Sequence, residues 1–259
     1  GPHHQVSDAD LAAFITRNLA AVPLDGRTVV LVVPDGTRSM PLPLVMRIVY
    51  RALIDRVASL SAVIALGTHA PMDPGQIERM FGAVPGGLDQ LYPGLTIRNH
   101  AWHDPSQIVQ VGTLSADQIE QLSQGAIRQD VAVEINRHVV EADYAIVIGP
   151  VCPHEVVGIS GGNKYFIPGC ATHEIIDLSH WVGALIGVET MIGSTEITPV
   201  RAIINAGSDL IDTEKLALCL VVQSGTGMVE AAAFGTSEDA WAATAPIAAE
   251  SHIVYLDRP

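Results

Sequence analysis

Three features of the sequence predict an α/β fold: a mainly parallel, Rossmann-like sheet with flanking helices and a site at the carboxyl ends of the strands. Short β-branched apolar runs alternate with helical segments along the chain. The runs are apolar at successive positions, as expected of strands covered by helices on both faces. The composition, 48% hydrophobic and 16% charged over 259 residues, supplies a substantial core and excludes a disordered or fibrous chain.

Residues 1–4 read as the remnant of an expression tag, and residues 5–259 as one domain. The first helix is expected over 7–21, with Ser7 as N-cap and Leu11, Phe14, Ile15 and Leu19 on one face. TVVLVV at 28–33 is a buried strand, and 43–58 a helix with Pro43 in its first turn. Strands follow at 62–66 and 95–100, separated by a short helix at 73–81 and a Gly/Pro-rich surface loop at 82–94. Residues 115–123 read as helix, 132–141 as strand or helix, and 144–148 as strand. Strands at 216–222 and 253–256 bracket a helix at 237–249. There is no internal repeat and no low-complexity linker.

Charge and cysteine content narrow the partners. Fourteen basic against 28 acidic residues leave a net charge of −14, which disfavours nucleic acid. No apolar run reaches the ~18 residues of a membrane span, and no signal-peptide pattern opens the chain. Cys152, Cys170 and Cys219 show neither CxxC nor zinc-finger spacing, which points to reduced thiols and a cytoplasmic location. Of the basic residues, only Lys164 and Lys215 are lysines. An amine forms amides and imines where a guanidinium does not. Lys215 reads as a surface lysine, whereas Lys164 ends the run Ser160-Gly161-Gly162-Asn163-Lys164.

Ligands of open α/β sheets bind beyond the strands' carboxyl ends, so the residues after each strand are the candidates. They are Pro34-Asp35-Gly36-Thr37-Arg38, Gly67-Thr68-His69-Ala70, Gly149-Pro150 through His154-Glu155, and Gln223-Ser224-Gly225-Thr226-Gly227. Each also has a plain reading: Asp35 as a helix cap, His69 as a hydrogen-bonding residue, Ser224–Gly227 as a turn. His100 and His103 read as metal-like or as structural. The densest segment is 154–180, where His154 and Lys164 flank Gly161-Gly162 and His180 follows. Consecutive glycines admit a ligand close to the backbone and offer N–H groups to an anion, and a neutral imidazole is a common metal ligand.

Asp35–Arg38, Gly67–His69, Ile135-Asn136-Arg137, and the run from Pro153-His154 through Ser160–Lys164 to Pro168-Gly169 and His180 together resemble the nickel-dependent lactate racemase family. Those enzymes are racemases and epimerases of 2-hydroxy acids, and the likeness corresponds to their N-terminal domain. The resemblance implies nickel and a pyridinium-3,5-bisthiocarboxylic acid mononucleotide, the latter joined to Lys164 through a thioamide. Nickel would be held by sulfur, carbon and sulfur of that group and by His180. His69 and His154 would be paired acid/base residues. Asp35 and Arg38 would line the cofactor and substrate pocket, Arg38 meeting a carboxylate, with Gly161 and Gly162 beside the nucleotide. The implied reaction takes hydride from C2 of a small, lactate-like 2-hydroxy acid and returns it to the other face, while the imidazoles take and return the hydroxyl proton. The implied partners are that acid and the enzymes that make and load the cofactor.

Two departures accompany the resemblance. The family carries Arg after Gly-Thr-His, where this chain has Ala70. Its C-terminal domain, which closes over the site, is expected to begin where this sequence stops. The chain is therefore expected to carry the cofactor pocket and half of the substrate site. Rival readings are a zinc hydrolase built on His69, His154 and His180, a nicotinamide dehydrogenase, a non-catalytic binding domain and a nickel chaperone. The first lacks HExxH and leaves Lys164 without a role. The second lacks GxGxxG after the first strand, and the fourth lacks a His-rich tract.

Overall fold

The structure, a computed structural model, describes residues 5–254. The chain runs α1 (Asp8–Ala21), β1 (Thr28–Val33), α2 (Leu42–Leu53), β2 (Ser59–Ile64), α3 (Pro74–Phe81), α4 (Leu88–Leu91) and β3 (Thr96–Asn99). It continues with β4 (Ile108–Leu114), α5 (Ala116–Leu122), β5 (Val131–Asn136), α6 (Arg137–Val140), β6 (Tyr144–Pro150), β7 (Pro153–His154) and β8 (Gly158–Ile159). The last elements are α7 (His173–Ile186), α8 (Val188–Met191), α9 (Pro199–Ser208), β9 (Glu214–Val222), β10 (Val229–Thr236) and α10 (Ser237–His252).

Six strands form the central sheet in the order β10-β9-β6-β1-β2-β3, parallel throughout except for β10, which pairs antiparallel with β9. The apolar strands are explained by the two cores they feed. In β1, Val30 and Val32 join the core beneath α7, α9 and α10, while Val29, Leu31 and Val33 join the one beneath α1 and α2. In β9, Ala217, Cys219 and Val221 face the first core, and Leu218, Leu220 and Val222 the second. A period-two division with both faces covered makes every position apolar. The antiparallel pair β4–β5 stands apart from the main sheet and packs Val131, Val133 and Ile135 onto the first core.

Local signals set several boundaries. The Ser7 side chain accepts from the Asp10 N–H at the start of α1. Asp73 with Gln76, and Ser115 with Gln118, form reciprocal capping boxes at α3 and α5. The expected helix over 43–58 is shorter, because Arg56 leaves it and donates to Leu19 O and Val22 O at the end of α1. The segment 132–141 divides into strand β5 and one turn of helix, with the Asn136 side chain capping the turn. The expected strand over 253–256 is not formed at Ile253 and Val254; 255–256, like residues 1–4, lie outside the described residues. Lys215 is partly buried rather than free at the surface, its ammonium donating to Ile211 O. None of the described helices is long and apolar enough to cross a membrane.

Candidate active site

Parallel pairing sets the carboxyl ends of β6, β1 and β2 side by side, with Val32 opposite both Val63 and Val147. The loops leaving those ends meet segment 160–169 and α7 around a cavity of about 260 Å³. Asp35, Arg38, His69, His154, Gly161, Lys164 and His180 all line it. Of the residues the sequence singled out for the site, Gly162 does not. Its backbone sits against α10, where a Cβ would lie 2.7 Å from Ser237 O. Ser224–Gly227 also lies outside the cavity, because β9 turns there into the antiparallel β10, with Gln223 N donating to Met228 O.

Asp35 does not cap the following helix, since α2 begins at Leu42 with Pro41 as its N-cap and no side-chain cap bond. Its Oδ1 accepts from the Thr37 N–H, closing the turn, and its Oδ2 lies 2.7 Å from His69 Nδ1. Burial works to raise the Asp35 carboxyl, but hydrogen bonds from Thr37 and His69 outweigh it and hold it below its usual value. Facing an ionised carboxylate, His69 carries its proton on Nδ1 and presents the Nε2 lone pair. His154 is the opposite case: its Nδ1 accepts from the Val156 N–H at 3.1 Å, so a neutral ring carries its proton on Nε2. Burial, then the nearby Lys164 ammonium, push its imidazolium down to about 3. His180 lies one turn after Ile176 on the cavity face of α7, and its Nδ1 donates to Ile176 O at 2.7 Å. That bond leaves Nε2 free, the arrangement typical of a metal-ligating histidine.

Lys164 lies in the short 3₁₀ turn Gly162–Tyr165. Burial, reinforced by the Arg38 guanidinium, lowers its ammonium to about 8. Competitive acylation with an amine-reactive reagent, read by peptide mass, is therefore expected to give half-maximal Lys164 reactivity near pH 8 rather than near the ordinary 10.5. The amine is the reactive form, so labelling should rise with pH through that value.

The loop carrying Lys164 is held from below by residues with no local sequence signal. Gly161 has φ +98°, and a Cβ there would meet Val151 Cγ2 at 2.6 Å. Arg201 of α9, fully buried, donates to Gly161 O at 2.9 Å and to Glu238 Oε1 at 2.8 Å, and stacks on Trp241 at 3.9 Å. Asn163 bonds Asn205 and Ser237, and Asn205 in turn donates to Glu238. Tyr165 and Ser160 also line the cavity. Both stand within or beside the motif that contains Lys164, the only signal that points to them.

His100 has a structural role. It is buried, with Nε2 bonded to Ala171 O and Nδ1 facing the Asn136 amide. Asn136 and Arg137 lie outside the cavity; Arg137 pairs with Glu141. Among the described residues, no three His, Cys, Asp or Glu side chains are grouped to hold a metal ion, so the zinc-hydrolase reading has no ligand set.

Lactate racemase from Thermoanaerobacterium thermosaccharolyticum is 26% identical over 171 residues, covering 64% of this chain and 35% of that protein. A crystal structure of a Thermotoga maritima protein matches with a TM-score of 0.87 at 26% identity, covering 100% of this chain and 63% of that one. The structure of the lactate racemase apoprotein from Thermoanaerobacterium thermosaccharolyticum matches at a TM-score of 0.75 over 94% of this chain and 55% of that one. At 21% identity that last likeness shows the fold. The chain thus spans about a third of the curated relative and less than two thirds of either solved chain. The family model of the lactate racemase N-terminal domain matches residues 5–191, and the chain belongs to that family.

Proposed function

We propose that this chain is the cofactor-binding part of a racemase or epimerase of 2-hydroxy acids. The observation that carries the reading is the convergence of Lys164, His180, His69 and His154 on one cavity. The residues fit a covalent nickel-pincer nucleotide. No ion pair or hydrogen bond holds the Lys164 ammonium among the described residues, and its lowered pKa favours the nucleophilic amine. His180 offers one ring nitrogen, so the remaining nickel ligands must come from a bound group, as the pincer's sulfur, carbon and sulfur would supply. When bound, that group provides the acceptor and donor of hydride for C2 of the substrate.

The chain's own residues do the rest. Arg38, exposed at the cavity edge, takes the substrate carboxylate. His69 Nε2 accepts the C2 hydroxyl proton, and Asp35 stabilises the imidazolium so formed. His154 donates a hydrogen bond from Nε2–H to the C2 oxygen from its own side, and the His69 imidazolium returns the proton to that oxygen as the other face is reduced. The buried walls formed by Leu66 and Gly169 limit the water that reaches the 2-keto acid.

The test is the intact mass and nickel content of the chain after co-expression with the cofactor's biosynthetic enzymes. An adduct that maps to Lys164 with one nickel per chain is expected. An unmodified, metal-free chain of this sequence beside a full-length relative that does acquire the adduct and nickel would favour the non-catalytic binding domain instead.

A further inference from the structure

Across the His69–Asp35 pair from the cavity lies a second hollow of about 870 Å³. The two share Asp35, Thr37, Arg38, Leu66 and His69, so they are halves of one continuous site. Met40, Met72, Met80 and Leu42 form the walls of the second half, with Ala70 directly after His69 and Arg79 also on its lining. Half of the chain's six methionines thus converge on one groove. Thioether side chains adapt to apolar shapes of varied size. The single carboxylate on this lining, Asp35, is already engaged by Thr37 and His69.

We propose that this groove receives the C3 substituent of the substrate, and that the preferred substrates are 2-hydroxy acids with a bulky apolar side chain rather than lactate. The inference rests on the hydroxy-acid reading above. With the carboxylate on Arg38 and the hydroxyl on His69, and with Lys164 and His180 on one side of that pair, the substituent points to the other. A methyl leaves the groove wet, whereas a benzyl or isobutyl group covers the methionines. Each buried methylene of such a group adds to binding.

The test titrates the cofactor-loaded protein, carrying ¹³C-methyl methionine, with lactate, malate and 3-phenyllactate by NMR. Phenyllactate is expected to move the methyls of Met40, Met72 and Met80 while Met191 and Met228 stay still. It should also bind about tenfold or more tightly than lactate. Ala70→Trp, which fills the groove, should weaken phenyllactate far more than lactate and bring the two affinities together. Tightest binding of malate would assign the groove to a second carboxylate on Arg79 and overturn the apolar class. Equal binding of all three acids with unmoved methionine methyls would overturn the groove's role and leave the hydroxy-acid reading intact. Binding of none of them would overturn both.

Discussion

Glu238→Ala is expected to lower the stability of the chain by about 3 kcal/mol, because it strands the Arg201 guanidinium without a counter-charge in the core. Arg201 has no exposed surface, and its Nε already lacks a partner. Its remaining contacts are the carbonyls of Gly161 and Ile159 and the face of Trp241. None of these replaces a carboxylate. The reverse change, Arg201→Met, should cost less, since the Glu238 side chain keeps about a third of its surface exposed, 32%, and can turn to water. Thermal unfolding separates the two: Glu238→Ala should shift Tm down by about 6–12 °C, and Arg201→Met by a smaller amount. Equal or reversed losses would show that the pair acts through packing and not through charge. Glu238→Ala should also broaden the pH dependence of Lys164 labelling, because Arg201 and Asn163 anchor the Lys164 loop through Glu238.

Most of the site was legible because its residues sit in loops after strands whose own signal is strong. β1 is apolar at five successive buried positions, so its end, and hence Asp35 and Arg38, could be placed from the sequence. The same holds for His69 after β2 and for His154 after β6. His180 follows no strand and was legible through the dense segment 154–180 and the motif resemblance. The helix that carries it, α7, buries one face, but Trp181 and Leu185 are apolar on the exposed one, so the sequence shows no clean apolar stripe. For the same reason α9 went unread: Val200, Arg201, Ile203, Ile204, Gly207 and Ser208 are all buried, and no polar face marks the period. Strand β10, with its run of three alanines, resembles helix in composition and is strand because β9 is there to pair with. The Arg201–Glu238 anchor joins residues 37 apart in sequence and has no local pattern at all.

Lys164→Arg should abolish the mass adduct and bring racemisation by a protein containing this domain down to background, a loss of about 10³-fold or more if the whole hydride step depends on the attached group. Arginine keeps a positive charge beside Arg38 and His154, so the electrostatics of the cavity persist while the acylable amine is gone. Stability should fall by less than in Glu238→Ala, because no hydrogen bond or ion pair of the Lys164 ammonium is lost among the described residues and the longer side chain can extend into the cavity that Lys164 lines. That separates the variant from Glu238→Ala, which acts through the fold. His180→Ala supplies the second contrast. It leaves the amine in place and should keep an adduct at Lys164 while nickel falls, since only the Nε2 ligand is removed. An active Lys164→Arg protein would end the covalent-cofactor reading. A His180→Ala protein that lost adduct and nickel together would mean that the metal is needed to complete attachment at Lys164, which would make loading at this site ordered.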